Sequence, residues 1–361
     1  MSKAVDRLKE QAFSAYLQWR TRPGPIRHAV TEALAVTSPR AKTYDRRRVR
    51  AAAVQMELSL IGDPTAYARK VAGLAGRAAA DGADLICFPE DAATHLVGML
   101  PGIEKLAAAG SVDAALGEMG MDVKVADIFR FLGSAMRRTY LATFSTVART
   151  LGVYIAGGSV VLPEPDGEVR NRQFLFGPDG QVVASEAKTH LLPMEAEWGL
   201  VPGDQVVVYD TPFGRLGLPV CMDATYFEPY RLLTLMGAEI IINPSADPDE
   251  YNFWRKLRGV WPRVQESPAY GVNPCMVGNF MGMKLTGKSA IFAPLDLTPS
   301  GDGVLAQVED PDHEGMAIAT LDLEALAEYR KRYPVEAGFN LALYDRYFPA
   351  VYDRPERGGH Q

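Results

Sequence analysis

Three glycines stand at joints where a helix-like segment ends and an apolar run begins at once. Gly82, Gly152 and Gly237 each follow a segment with helical hydrophobic period and precede a run of strand type. Glycine readily adopts the left-handed conformation that closes a helix, so each joint predicts a helix followed directly by a strand. Helices and strands that alternate in this way predict an α/β fold.

The hydrophobic period along the chain predicts the elements on either side of these joints. Helices are expected at residues 64–80, 125–151, 227–236 and 252–269. Strands are expected at residues 49–58, 84–88, 153–158, 239–243, 273–278 and 289–294. Turn residues at 176–181 and 211–215 are typical of hairpins, which add antiparallel strands. We therefore predict mixed sheets.

The pattern divides the 361 residues into one large domain with a segment on each side. Residues 49–335 contain no low-complexity linker and are read as a single domain, with an insertion at 94–121. Residues 1–48 form a helical arm, broken at 23–25 where two prolines flank a glycine, and residues 336–361 form a tail. Because 47% of the residues are hydrophobic and 23% are charged, a disordered or coiled-coil chain is excluded.

The basic residues are concentrated at the start of the chain. The formal net charge is −6, yet residues 1–50 carry twelve Lys and Arg against four Asp and Glu. Residues 44–50 lack interleaved aromatic residues and a recognisable binding module, so we expect a solvated arm or subunit contact and no nucleic-acid partner. No apolar stretch has the roughly 18–20 residues of a membrane helix, and the amino terminus lacks a secretory signal. We expect a cytoplasmic protein without membrane contact.

The number and spacing of the cysteines and histidines limit the kinds of site that the chain can form. Cys87, Cys221 and Cys275 are too few for a disulfide framework and have no metal-ligand spacing. None of the five histidines is paired at such a spacing either. We therefore expect neither a metal nor a cofactor, and a cysteine that has a function is expected to act as a reactive thiol.

Three expected strand ends carry reactive side chains. Glu90 follows the apolar residues 85–88, Lys188 follows the hairpin around 176–181, and Cys221 follows residues 218–220. Ligands of α/β sheets bind beyond the carboxyl ends of strands, so these positions predict a site. A thiolate that attacks, a carboxylate that moves protons and an ammonium that stabilises an oxyanion together suit acyl transfer.

This ordered set resembles the nitrilase, or carbon–nitrogen hydrolase, superfamily in its amidase-like branch. The family signature has Glu after a strand that ends Phe-Pro-Glu, Lys in a Lys-x-His-Leu run, and Cys at a strand end with Asp close behind. These features lie here at residues 88–90, 188–191 and 221–223, and the likeness extends over residues 50–323. The resemblance implies a four-layer α-β-β-α sandwich that pairs through its outer helices into a homodimer or larger oligomer.

The resemblance also implies a metal-free Cys-Glu-Lys site that hydrolyses small amides. In this reading Cys221 is the nucleophile, Glu90 the general base and then acid, and Lys188 the oxyanion stabiliser. A second glutamate often follows the lysine in the family; Glu195 and Glu197 both qualify here, and Glu195 is favoured. Met222, whose backbone N–H is a further oxyanion donor, is assigned to substrate binding together with Asp223 and His190.

Several alternatives remain open at this point. Nitrile or N-carbamoyl amide hydrolysis is the rival within enzymes, although Met222-Asp223 resembles the amidase branches rather than the Trp-Glu pair typical of nitrile-cleaving members. A non-catalytic scaffold of the same fold is the rival outside them. A Cys221–His190 dyad is a second catalytic arrangement. Residues 282–289 match the phosphate-loop pattern, but a strand rather than a helix is expected to follow, which disfavours nucleotide binding.

Overall fold

The computed structural model describes residues 3–35, 37, 47–103, 124–280 and 282–353. The α-helices in these ranges are α1 (Lys3–Arg20), α2 (Pro23–Ala33), α3 (Pro64–Ala80), α4 (Val125–Leu151), α5 (Pro193–Glu197), α6 (Phe227–Leu235), α7 (Phe253–Lys256), α8 (Val260–Glu266), α9 (Leu323–Arg332) and α10 (Leu341–Tyr352). The strands are β1 (Arg48–Leu58), β2 (Leu85–Cys87), β3 (Tyr154–Pro163), β4 (Val169–Phe176), β5 (Val182–Ala187), β6 (Val208–Thr211), β7 (Gly214–Gly217), β8 (Ile240–Ile242), β9 (Tyr270–Asn273), β10 (Met276–Phe280), β11 (Met283–Leu285), β12 (Ala290–Phe292), β13 (Val304–Gln307) and β14 (Gly315–Asp322).

The first sheet has the strand order β11-β10-β1-β2-β3-β4-β5, with β14 paired antiparallel to β1. Strands β1, β2 and β3 run parallel, with Ala52 opposite Ile86 and Ile86 opposite Ile155. The hairpins β3–β4 and β4–β5 continue the sheet with antiparallel pairs. The carboxyl ends of β2 and β5 therefore carry the segments that include Glu90 and Lys188.

The second sheet has the strand order β13-β12-β9-β8-β7-β6. Strands β7, β8 and β9 run parallel, while β6 and β12 pair antiparallel with β7 and β9. Both sheets are mixed, as the hairpin signals predict. Cys221 follows β7 and begins a short 3₁₀ turn, Cys221–Ala224.

Alternate side chains of the strands show the four layers directly. In β1, Ala52 and Val54 pack with the helices α2, α3 and α4, whereas Ala51 and Ala53 pack between the two sheets. In β8, Ile241 packs with the α6 and α8 side chains, and its neighbours in the strand face the first sheet. Because adjacent strand residues point to opposite faces, one sheet face meets helices and the other meets the second sheet. The predicted α-β-β-α sandwich is confirmed.

The glycine joints behave as predicted, and one predicted helix is wrong. Gly82, Gly152 and Gly237 have φ values of 86°, 66° and 95°, which is the left-handed region that ends a helix. The helix predicted at 252–269 is instead two short helices, α7 and α8. Gly259, with φ −95° and ψ −141°, lies outside helical geometry and begins α8. Residues 282–289 form β11 and a loop before β12, so no helix follows the phosphate-loop pattern.

The longest described helix, α4, supports the segment that carries Glu90. The Tyr140 hydroxyl donates to the Gly158 carbonyl at 3.0 Å, and the Phe144 ring lies edge-on to Phe88 at 5.0 Å. Gly158 has φ 68°, and a Cβ there would lie 1.9 Å from the Pro89 carbonyl oxygen. Only glycine therefore lets β3 approach the residue before Glu90 so closely. No described helix, α4 included, is both long and apolar enough to cross a membrane.

Part of the predicted arm lies within the outer helix layer. Ile26 and Val30 of α2 are fully buried and join the core cluster that contains α3 and α4 residues. Residues 44–46 of the basic segment 44–50 and the insertion residues 104–121 lie outside the described residues. Helix α10, in the predicted tail, exposes apolar side chains such as Leu341 and Tyr352. Subunit pairing through outer helices stays a prediction.

Because α2 is packed into the helix layer, substitution of one of its buried residues should destabilise the protein, although α2 belongs to the predicted arm. Ile26→Ala removes a buried side chain from the helix layer and is expected to lower the free energy of unfolding by about 2–5 kcal/mol. The adjacent Arg27 is exposed, so Arg27→Ala serves as a matched control and is expected to change the value by less than about 0.5 kcal/mol. Urea denaturation followed by circular dichroism measures both. Equal stabilities of the two variants would contradict this packing of α2.

Candidate active site

The three predicted catalytic side chains come from three separate strand ends and meet between the sheets. Glu90 lies three residues beyond β2, Lys188 directly follows β5, and Cys221 lies four residues beyond β7. Glu90 and Lys188 are 2% and 1% exposed, whereas Cys221 is partly exposed. After burial, the strongest influence on the pKa of the Cys221 thiol is the charge of Glu90, which raises that pKa, so the two side chains lie close together. Lys188 and Cys221 thus share one small site with Glu90, although they lie 98 and 131 positions after it in the chain.

Lys188 is held between two buried carboxylates. Its Nζ donates to Glu90 Oε1 at 2.8 Å, and it lies 2.8 Å from Oε1 and 2.7 Å from Oε2 of Glu195. Burial by itself would lower the Lys188 pKa, but the charges of Glu90, Cys221 and Glu195 raise that pKa well above its ordinary value. The lysine is therefore an ammonium at neutral pH. Of the two candidate glutamates, Glu195 makes this contact, and Glu197 is exposed.

Both oxygens of Glu90 have further partners that the sequence analysis missed. Oε1 also accepts from the Asn171 side-chain amide at 2.9 Å, and Oε2 accepts from the backbone N–H of Ala246 at 2.8 Å. Asn171 lies on β4, next to the lysine strand, and is 1% exposed. Asn171 is one of four consecutive polar residues in β4, at positions 170–173, so no local pattern in the sequence singled it out. A backbone donor such as Ala246 leaves no signal in a sequence.

The backbone around Cys221 holds the thiol in an unusual conformation. Cys221 has φ 46°, a left-handed geometry that costs a non-glycine residue roughly 1–3 kcal/mol. The Cys221 N–H donates to the Pro244 carbonyl at 2.9 Å, and the Asn243 side-chain amide donates to the Cys221 carbonyl at 3.3 Å. Burial and the Glu90 charge raise the Cys221 pKa well above its ordinary value, while Lys188 acts in the opposite direction. The thiol therefore needs a base to become a nucleophile.

Two cavities adjoin the site. One, of about 200 Å³, is lined by Cys221 and Met222 and reaches Asn243, Arg258 and Lys288. The other, of about 60 Å³, is lined by Glu90, Lys188 and Glu195 together with apolar side chains that include Phe129 and Trp198. Leu192 and Pro248 line both cavities, so these two residues mark where the cavities adjoin. The thiol therefore lines the first cavity and the charged group lines the second.

The other predicted binding residues have different surroundings. Met222 lines the larger cavity, whereas Asp223 is 1% exposed and both its oxygens accept hydrogen bonds from neighbouring protein groups. His190 Nδ1 lies 2.8 Å from Asp223 Oδ1, and its ring lies 4.7 Å from the Tyr226 ring. Within the described ranges no hydrogen bond joins His190 to Cys221, so the geometry gives the alternative dyad no support. No cluster of three His, Cys, Asp or Glu residues there is arranged to hold a metal ion.

The comparisons with known proteins agree with this geometry. A model of the carbon–nitrogen hydrolase family matches residues 50–331, which is more than half of the chain. The chain belongs to the carbon–nitrogen hydrolase family. This hydrolase is 32% identical over 198 residues to the probable hydrolase YhcX of Bacillus subtilis, an alignment that covers 53% of this chain and only 38% of YhcX.

Two further similarities have wider coverage. The carbon–nitrogen hydrolase is 29% identical over 217 residues to the omega-amidase NIT2 of Xenopus tropicalis, which covers 55% of this chain and 72% of that protein. Its fold matches an amidase from Nesterenkonia sp. AN1 with a TM-score of 0.58 at 19% identity, covering 85% of this chain and all of the other. The nitrilase-type fold expected from the sequence is thereby shown.

One more buried carboxylate lies in β5, two residues before Lys188. Glu186 is 5% exposed, and its Oε2 has no hydrogen-bond partner among the described residues. Burial, reinforced by the charge of Asp223 and opposed by Arg172 and a backbone hydrogen bond from Val207, raises its pKa from 4.5 to about 8. Glu186 is therefore mostly protonated at neutral pH in the folded state.

This shift predicts a pH dependence of stability. Because the folded pKa of Glu186 is raised, the unfolded chain releases the proton first as pH rises from 4.5 to about 8. The contribution of Glu186 to the free energy of unfolding is therefore fully present below that window. It decreases across the window by up to about 1.4 kcal/mol per pH unit. Glu186→Gln cannot titrate, so its stability relative to the wild type should rise from pH 5 to pH 8. Urea titrations across this range measure the difference, and a constant difference would contradict the assignment.

Proposed function

We propose that this carbon–nitrogen hydrolase converts a carboxamide to a carboxylic acid and ammonia through a thioester on Cys221. Cys221 is the nucleophile, Glu90 the general base and then acid, and Lys188 the group that stabilises the oxyanion. Glu195 holds the Lys188 ammonium in place. The backbone N–H of Met222 is the second candidate donor to the oxyanion.

The observation that carries this proposal is the Lys188 ammonium beside the Cys221 thiol. It is fixed by Glu90 at 2.8 Å and Glu195 at 2.7 Å in a site from which water is nearly excluded. A fixed positive charge in such surroundings stabilises developing negative charge far more than it would in water. The attack of a thiol on an amide carbonyl develops that charge on the carbonyl oxygen.

The first half of the reaction forms the thioester. Glu90 takes the proton of the Cys221 thiol as the sulfur bonds to the amide carbon, and the carbonyl oxygen becomes an oxyanion near Lys188. Glu90 then gives that proton to the nitrogen, the carbon–nitrogen bond breaks, and ammonia leaves. The acyl group remains bound to the sulfur, and Glu90 is again a carboxylate.

The second half releases the acid. Glu90 takes a proton from a water molecule as the water oxygen bonds to the thioester carbon, which forms a second oxyanion near Lys188. Collapse of this intermediate breaks the carbon–sulfur bond, and Glu90 returns the proton to the Cys221 sulfur. The carboxylic acid product leaves, and no group of the protein has changed.

Two relatives support an amide substrate and a cysteine nucleophile. The Xenopus relative is an omega-amidase. In the amidase from Nesterenkonia sp. AN1, the acetamide moiety of fluoroacetamide adds covalently at the active-site cysteine. The identity to each protein is below 30%, and the substrate panel below tests which acyl group this chain prefers. Cytoplasmic location and a homo-oligomeric state remain part of the proposal on sequence grounds.

A substrate panel with a nucleophile variant tests the function. Ammonia release is measured for amides, N-carbamoyl compounds and nitriles, with each amide and nitrile pair sharing one side chain. We expect amide turnover to exceed nitrile turnover in kcat/KM, because Lys188 stabilises an oxyanion and a nitrile adduct forms none. Cys221→Ala should abolish turnover without altering the circular dichroism spectrum. Preference for nitriles across pairs would favour the rival activity, and an active alanine variant would refute the nucleophile.

Thiol labelling supplies the internal control. Cys87 is fully buried and Cys275 is 6% exposed, whereas Cys221 lines the larger cavity. Iodoacetamide should therefore modify Cys221 first and abolish turnover in proportion to its modification. No turnover of any panel member by a protein whose Cys221 is free would instead favour the non-catalytic scaffold.

A further inference from the structure

One buried carboxylate joins the segments that carry the nucleophile and the lysine. Asp223 Oδ2 accepts from the backbone N–H of Val220 at 2.8 Å and of Thr189 at 3.4 Å. Its Oδ1 accepts from the Thr189 hydroxyl at 2.7 Å and from the His190 backbone N–H at 2.8 Å. His190 Nδ1 also lies 2.8 Å from Oδ1. These partners lie either directly before the cysteine or on the two residues directly after the lysine.

We propose that Asp223 is a positioning residue that fixes the Cys221 thiol relative to the Lys188 ammonium. The inference rests on the proposed function and adds the group that sets its geometry. Cys221 follows a strand of the second sheet, and Lys188 follows an edge strand of the first. The Asp223 carboxylate bridges the two sheets at the point where a substrate carbonyl would have to contact both groups.

The conformation of the nucleophile shows why such a tie is needed. Cys221 has φ 46°, which a non-glycine residue keeps only when its surroundings hold it there. The Asp223 N–H donates to the Val220 carbonyl at 3.0 Å, and the Asp223 side chain accepts from the Val220 N–H. These two bonds close the turn around Cys221 from both sides.

The donor pattern makes a carboxylate at this position hard to replace. An asparagine has the same shape, but one of its two terminal atoms is an NH₂ donor. In one orientation the NH₂ faces the N–H of Val220, and in the other it faces the N–H of His190. Neither backbone N–H can reverse its direction, so either orientation sets two donors against each other in a buried place.

The test compares Asp223→Asn with Thr189→Val and with a matched control, Asp310→Asn. Asp310 likewise accepts from a backbone N–H, that of Asp312 at 2.9 Å, and from His313 Nδ1 at 2.7 Å, but it is exposed and lines neither cavity. Two quantities are measured for each folded variant. They are kcat and KM for the amide that the wild type turns over fastest, and the second-order rate constant for Cys221 alkylation by iodoacetamide.

We expect Asp223→Asn to lower kcat about 100-fold, because a displacement near 1 Å costs about that much, while KM changes less than about threefold. The alkylation rate constant should fall as well, since Lys188 no longer lowers the thiol pKa from its correct position. Thr189→Val loses the hydroxyl that donates to Asp223 and should lower both quantities by about threefold to tenfold, which corresponds to one hydrogen bond. Asp310→Asn should match the wild type. Unfolded chains would expose the buried Cys87 and Cys275 to iodoacetamide as well, so increased labelling of these two cysteines marks a loss of folded protein separately from a slower reaction of Cys221.

Three results would overturn the proposal. The first is kcat and an alkylation rate constant for Asp223→Asn within twofold of the wild type. The second applies if Asp223→Asn does not fold: a folded Thr189→Val with both quantities unchanged. The third applies if the wild type turns over no amide, which contradicts the proposed function. An unchanged alkylation rate constant in folded Asp223→Asn then refutes the positioning role as a separate result.

Discussion

The buried ammonium of Lys188 between Glu90 and Glu195 is the interaction on which the rest of the site depends. Two carboxylates and one ammonium have been removed from water, which is costly for each ion unless its partners are within hydrogen-bond distance. Burial and the charge of Glu90 raise the Glu195 pKa even though Lys188 opposes the shift. The arrangement is therefore sensitive to small displacements of β2, β5 and α5, and the chain must align all three.

The layered fold supplies that alignment. Helix α4 supports the strand ends from outside through Tyr140 and Phe144, and Gly158 lets β3 lie against the residue before Glu90. From the second sheet, the backbone of Ala246 fixes the other oxygen of Glu90. The geometry of the candidate site is thus a property of two sheets packed together, with no single loop responsible for it.

The sequence predicted the parts of the structure that local patterns encode. The helix-to-strand joints at Gly82, Gly152 and Gly237 needed a left-handed residue, and glycine marked them. The reactive residues were visible because polar side chains followed apolar strands. The break between α7 and α8 was missed because hydrophobic period alone does not register Gly259. The partners of Glu90 and the bridging contacts of Asp223 could not be predicted, since they join residues far apart in the chain.

The thioester at Cys221 is the step on which the proposed reaction depends most directly. The measurement is rapid acid quench of the enzyme with a saturating amide during the first turnover, followed by digestion and mass spectrometry of the Cys221 peptide. We expect the mass of that peptide to increase by the mass of the substrate acyl group. The increase should disappear when hydrolysis is complete and should be absent in Glu90→Gln. Release of the acid product in the first turnover with no acyl group on Cys221, or with one on another residue, would contradict the proposed reaction.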